Sequence, residues 1–167
     1  MDSAYLRSFF MMADGMSIDS TKVASIDVPP LANRNVQFIR QRSGTSLVLA
    51  AVEGGILKSD DSGAHWRFVL KYEPQSPDRK YPYPTQIIFP AAYTNLVIVG
   101  GFDKPSGNIY LAYSKDNGDN WVDASDLAKA HPAGEVSFLT EDSAGGVLVT
   151  TASYAPDWLV GIWELKL

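Results

Sequence analysis

The chain has no cysteine and only two histidines among its 167 residues. Without cysteine there are no disulfides, no thiol catalysis and no thiolate-ligated zinc; the cellular compartment stays open. His65 and His131 are the only imidazoles, and no G-x-S-x-G run accompanies them, so a serine-hydrolase triad has little to be built from. No P-loop or dinucleotide fingerprint is present, and no His or carboxylate spacing suits a transition metal, so neither a cofactor nor a metal is expected. Basic residues are in the minority, 14 against 19 acidic for a net charge of −5. A nucleic-acid partner, which would need a basic stripe, is therefore not expected. Long apolar runs are also missing. No stretch is long enough to span a bilayer, so no membrane partner is expected and the chain reads as soluble. Met1–Ala13 holds Leu6, Phe9, Phe10, Met11 and Met12 but lacks a cleavage pattern, and it reads as a strand rather than a signal peptide.

What is present is one eight-residue pattern, twice. Ser59-Asp60-Asp61-Ser62-Gly63-Ala64-His65-Trp66 and Ser114-Lys115-Asp116-Asn117-Gly118-Asp119-Asn120-Trp121 both read S-x-D-x-G-x-x-W. The spacing fits a tight hairpin. Asp61 and Asp116 can accept bonds from backbone N–H groups a few residues on. Gly63 and Gly118 stand where the turn needs a positive φ, which glycine adopts without steric cost. Ser59 and Ser114 can bond across the hairpin, and Trp66 and Trp121 restart the returning strand with a ring to bury. Full burial of such a ring is worth roughly 4–6 kcal/mol. A carboxylate site at Asp61 and Asp116 is the weaker alternative, because the turn itself uses both side chains.

The pattern resembles the Asp-box, or BNR, repeat of sialidase-like β-propellers. The resemblance implies that the box residues hold turns away from the ligand-binding face. The surrounding sequence repeats as well. Val36-Gln37-Phe38-Ile39 aligns with Thr85-Gln86-Ile87-Ile88 and Val136-Ser137-Phe138-Leu139. A second strand follows in each unit, Ser46–Ala50, Asn95–Val99 and Gly146–Thr150, then a third, Gly55–Lys58, Asn108–Leu111 and Gly161–Glu164. Val-, Ile- and Leu-rich runs bounded by Gly, Asn and Ser support strands throughout, and only Ser125–Ala130 looks briefly helical. Four short strands recurring about every fifty residues are the signature of a propeller blade.

The expected fold is therefore all-β, a single domain of antiparallel four-stranded blades, propeller-like, with about three to four units. These are 1–33 (partial), 34–84, 85–134 and 135–167 (partial). Tyr5–Val28 reads as two or three further strands. Ser17-Ile18-Asp19 begins like a box but lacks its Gly and Trp. The strand tally, 3 + 4 + 4 + 3, falls short of six or seven blades, and an incomplete ring leaves strand edges open to another chain. A small closed ring completed by the N-terminal strand, or a homodimer whose halves make one larger ring, is preferred over a fragment.

Blade topology places the box hairpins and first-to-second-strand turns at one end, and the inter-blade connections and second-to-third-strand loops at the other. Binding groups sit on loops held by a rigid scaffold, so the second end is the place for a site. There lie Glu53, the proline-rich loop Lys71–Pro84 with Tyr72, Glu73, Asp78, Arg79, Tyr81 and Tyr83, the run Phe102-Asp103-Lys104, His131, and Tyr154, Asp157 and Trp158. Aromatic faces with carboxylates suit a sugar, and an arginine can fork to a ligand carboxylate. The plainer alternative is that the tyrosines pack on the prolines and the charges are solvated.

Sialidases of this family carry an arginine triad, a Tyr–Glu nucleophile pair, an acidic acid/base and an early Arg-Ile-Pro motif. The nearest stretch here, Phe38-Ile39-Arg40-Gln41, lacks that motif, and Arg7, Arg34, Arg40, Arg42, Arg67 and Arg79 do not assemble three on the binding end. No catalytic residue is assigned. The resemblance implies a non-catalytic recognition or scaffold module, with carbohydrate or protein as ligand. The competing reading is a glycoside-hydrolase-like enzyme using Glu53 with Asp103 or Asp157, which requires a separation of about 5–5.5 Å for retention or about 6.5–9.5 Å for inversion. A third reading is a subunit whose role is assembly.

Overall fold

The computed structural model describes residues 7–11, 18–25, 36–53, 55–72, 81–128, 134–153 and 160–166. Asp78, Arg79, His131, Tyr154, Asp157 and Trp158 lie outside them. The described residues form antiparallel sheets and no α-helix. Strands β1 (Arg7–Met11) and β2 (Ile18–Ser25) make a two-stranded sheet of their own. Of the Ser17-Ile18-Asp19 stretch, Ile18 and Asp19 lie inside β2, and Ser17 lies outside the described residues.

Sheet 1 holds β3 (Val36–Gln41), β4 (Val48–Val52), β5 (Gly55–Ser59) and β6 (Arg67–Lys71) in chain order. Sheet 2 holds β7 (Pro82–Ile88), β8 (Val97–Asp103), β9 (Asn108–Ser114) and the short β10 (Val122–Asp123). Sheet 3 holds β11 (Glu135–Glu141), β12 (Val147–Ala152) and β13 (Val160–Leu165). The helical stretch expected at Ser125–Ala130 is a single 3-10 turn, Ser125–Ala128. The sheets are stacked in sequence, β7 against sheet 1 and β11 against sheet 2. Among the described residues this stack does not close into a ring. Completion of the last unit by the N-terminal strand, one of the two preferred arrangements, is not seen among the described residues: β1 pairs with β2, and β13 is an edge of sheet 3.

Hydrogen-bond registers align the three sheets residue by residue. Val36↔Val52, Pro84↔Gly101 and Val136↔Thr151 are each followed by a one-residue bulge. Beyond it come Ile39↔Ala50, Ile87↔Val99 and Leu139↔Val149. This corrects the sequence alignment of the third unit, where Val147 was matched with Leu47 and Leu96. The registers match it with Val48 and Val97, because the turn closed by Asp142 N donating to Gly146 O is one residue shorter than that closed by Arg42 N on Leu47 O. Side chains alternate with a period of two, so one residue of slip exchanges the faces of a strand.

With that register each sheet has a trailing face, toward its predecessor, and a leading face, toward its successor. Leu47, Leu49, Ala51 and Ile56 on the leading face of sheet 1 meet Ile87, Val97, Val99, Tyr110 and Ala112 on the trailing face of sheet 2. Leu96, Ile98, Ile109 and Leu111 of sheet 2 in turn meet Val136, Leu139, Val147, Val149 and Leu165 of sheet 3. Small residues stand where the next sheet crosses closest: a Cβ on Gly100 would come within 2.6 Å of Val136 Cγ1.

The two boxes are near copies of one network. Ser59 Oγ donates to Asp61 Oδ1 at 2.8 Å and accepts from Gly63 N at 2.8 Å; Ser114 does the same with Asp116 and Gly118 at 2.7 and 2.8 Å. Asp61 accepts His65 N at 2.8 Å and contacts His65 Nδ1 at 2.6 Å. Asp116 accepts Asn120 N at 2.8 Å and Asn120 Nδ2 at 2.6 Å. The indole N–H groups of Trp66 and Trp121 close the loops on Gly63 O and Gly118 O at 2.8 and 2.9 Å. Gly63 and Gly118 have φ of 93° and 89°, as the spacing predicts, and Ser62 and Asn117 before them also lie left-handed, both at 60°. The rings are half-buried rather than fully buried, because their N–H edges turn back to the hairpin.

Backbone donation from Asn120 is the main influence that holds Asp116 down to about 2, against an ordinary 3.8. Asp61 is likewise held well below the usual carboxylate range, chiefly by His65 N–H. A depressed carboxylate contributes stability that is complete above its unfolded pKa and lost as pH falls through its folded one. For Asp116 that window runs from about pH 4 down to about 2. Near-ultraviolet dichroism of the box tryptophans is expected to hold to about pH 4 and fade below it. A signal flat to pH 2 would contradict this account of the turns.

Candidate functional site

The box turns and the first-to-second-strand turns share one end, as blade topology requires. Ser62 N donates to Ser46 O, and Asn117 N to Asn95 O, both at 2.9 Å. The opposite end carries the residues singled out as ligand contacts, but several of them are folded into the sheets. Tyr81 and Tyr83 were read as loop rings and are only 4% and 6% exposed. β7 begins at Pro82, so Tyr83 is a strand residue. Prolines are tolerated there because β7 is an edge strand. The rings form a short stack: Tyr81 on Tyr83 at 5.1 Å, Tyr83 on Phe102 at 4.9 Å, with Lys104 Nζ 5.5 Å from the Tyr83 ring. A ring buried in such a stack has no face to offer a sugar.

Tyr72 meets Tyr110 edge to face at 5.8 Å, and their hydroxyls are hydrogen-bonded to each other. Burial pushes Tyr72 up to about 12 and Tyr110 well above its ordinary value, with Asp123 and Asp103 adding to both. Both phenols are therefore neutral across the physiological range and form a closed donor–acceptor pair. Tyr72→Phe strands the Tyr110 hydroxyl in the core and should cost about 1–3 kcal/mol in urea unfolding, whereas adding Tyr110→Phe should return part of it. Additive losses in the double variant would contradict the pairing.

Glu53 is 5% exposed in the turn between β4 and β5. Asp103 ends β8, half-buried, and accepts from Ser106 Oγ at 2.6 Å. No His, Cys, Asp and Glu cluster among the described residues could hold a metal ion, and no described helix is long and apolar enough to cross a membrane.

The arginines with described side chains serve the stack. Arg40 Nη1 donates to Ile87 O at 3.3 Å. Arg42 donates to Tyr93 O, Thr94 O and Leu96 O and lies 4.8 Å over the Phe89 ring. Arg67 reaches Asp119 at 2.6 Å, and the buried Lys58 reaches the same carboxylate at 2.9 Å. All four side chains tie sheet 1 to sheet 2.

One concavity lies at the box end and was not foreseen from the sequence. It is a groove of about 700 Å³ between sheets 2 and 3, lined by Tyr93, Asn95, Lys115, Gly146, Glu164 and Lys166 among others. At the matching place between sheets 1 and 2 stands the second box, with Gly118 against Leu49 and Asp119 on Lys58. The one advance signal was the long β7–β8 loop with its exposed Tyr93. Set against family models, curated proteins and solved structures, the chain matches none.

Proposed function

We propose that the chain is a non-catalytic recognition or scaffold module of the Asp-box propeller type. The observation that carries this reading is the double box network, in which the serine, aspartate and tryptophan polar groups are bonded within their own hairpins. Three arginines joining sheet 1 to sheet 2 support it, since they leave few cations to hold an acidic sugar. Protein suits the ligand role better than carbohydrate, because Tyr81 and Tyr83 are packed away while apolar residues stand exposed on the sheets. The sialidase-superfamily alternative keeps one point in its favour: Glu53 is a buried carboxylate at the loop end. Incubation with an oligosaccharide panel separates the two. The module reading expects no release of reducing sugar. Release that is abolished by Glu53→Gln would overturn it and establish a carboxylate-dependent glycosidase.

A further inference from the structure

Sheet 3 is one strand short of its neighbours. Sheets 1 and 2 each add a fourth strand, β6 and β10, along the outer edge of their third. Among the described residues nothing pairs with the outer edge of β13. The other two sheets show what a fourth strand does there. Val48↔Ser59, Val97↔Ser114 and Val147↔Leu165 are equivalent pairs. Lys58 pairs with Arg67 and Tyr113 with Val122, so the box tryptophan, one residue earlier, comes level with Ser59 or Ser114. From that level Trp121 reaches between sheets 1 and 2 and packs on the cluster that holds Leu47 and Val97.

At the same level between sheets 2 and 3 lies the groove of about 700 Å³. Its lining includes Leu96, Val147 and Leu165, which register makes the counterparts of Leu47, Val97 and Ser114. The Tyr93 ring, 55% exposed, adds an aromatic wall. Charge follows the same logic. In the first junction Asp119, two residues before Trp121, meets Lys58 at 2.9 Å. Tyr113 holds the Lys58 position in sheet 2, and Lys115 Nζ lies 5.4 Å from its ring. Lys115 is exposed and lines the groove. Glu164 and Lys166, which also line it, approach each other at 4.0 Å, so the groove keeps the positive charge of Lys115.

We propose that the β13 edge and this groove together receive an extended segment of another protein, one that carries an aromatic side chain two residues after a carboxylate. Its backbone adds antiparallel to β13 as a fourth strand, its ring enters the groove, and its carboxylate meets Lys115. Strand addition draws affinity from main-chain hydrogen bonds and specificity from the pockets that take its side chains. The segment comes from a separate protein because this chain has none to spare. Asp119-Asn120-Trp121 is its single run with an acidic residue two before an aromatic one, and that run is folded into the second box. The inference deepens the recognition-module reading and rests on it for the choice of protein as ligand.

The test is a dye-labelled synthetic peptide with the Asp119–Asp123 sequence, continued in alternating valine and threonine. Fluorescence anisotropy with the full chain is expected to show saturable binding. Lys115→Glu changes an exposed side chain and should weaken that binding about tenfold. A second peptide with lysine in place of its aspartate should recover the loss on the Lys115→Glu protein. Methylating the peptide's backbone nitrogens should abolish binding, since a strand without N–H donors cannot extend the ladder. No saturable binding, equal binding to Lys115→Glu, or equal binding of the methylated peptide would overturn the proposal. So would amide exchange at β13 that slows as the protein alone is concentrated, the mark of a second copy in the same place. None of these results bears on sugar release, which decides the module reading separately.

Discussion

Trp121→Ala is expected to lower the free energy of unfolding by about 3 kcal/mol, more than any other substitution in either box. Trp121 lies against Leu49, Val97, Val99 and their neighbours in the core between sheets 1 and 2, so alanine opens a void at a junction rather than at a margin. It also loses the indole bond to Gly118 O. Trp66 makes the same bond to Gly63 O but packs on the smaller cluster of Ala50, Val52 and Leu57. Its alanine variant should cost less, about 2 kcal/mol. Trp121→Phe separates the two contributions, since it keeps most of the apolar contact and deletes only the N–H donor. Urea unfolding of the three variants measures the order. Equal losses at Trp66 and Trp121 would show that the hairpin bond, and not the core between the sheets, sets the effect.

Gly101→Ala should be nearly as damaging, about 3 kcal/mol. Its Cβ would fall 1.9 Å from Tyr83 O and 2.9 Å from Pro84 Cα, both backbone atoms that cannot swing aside. The matching positions in sheets 1 and 3 hold Val52 and Thr151, so the ladder does not demand glycine there in general. In sheet 2 the Tyr83-Pro84 backbone, next to the bulge between Pro84 and Gln86, occupies the place that a Cβ on Gly101 would take. Gly100→Ala meets only Val136 side-chain atoms and should be milder, acting on the contact between sheets 2 and 3. Thermal melts of the two neighbours compare a backbone clash with a side-chain one. A Gly101→Ala protein with the melting point of the parent would contradict the close approach described here.

The boxes were legible in the sequence because their chemistry is local. Asp61, Gly63 and Trp66 act within one turn, and nothing distant alters which bonds they can make. Strand order within each sheet was legible for a similar reason, since short polar turns leave sequential strands little choice but to pair. Sheet faces were less so. The single residue missing from the Asp142–Gly146 turn was invisible beside the stronger match of Val147 to Leu47, and it shifts β12 by one residue against that alignment. Tyr81 and Tyr83 were misplaced because Pro82 and Pro84 read as loop markers, although an edge strand has no ladder bond to lose on one side. The groove beside Tyr93 depends on how two sheets splay, which no run of consecutive residues encodes. Of the expected ligand contacts, Glu53, Tyr72, Tyr81 and Asp103 are located by the structure, and of these only Tyr72 and Asp103 are partly exposed.

Among the described residues the main contacts between the three large sheets run from 1 to 2 and from 2 to 3, so the stack behaves as a one-dimensional array with boundary terms. Sheet 2 belongs to both junctions, and a lesion there weakens the whole array, whereas one in sheet 3 spares the first junction. Loss of order should then travel inward from the termini of the array, and amide protection should be deepest at β8 and shallowest at β13. A partner seated on sheet 3 would turn that boundary into an interior position and raise the protection of β13 without touching its own hydrogen bonds.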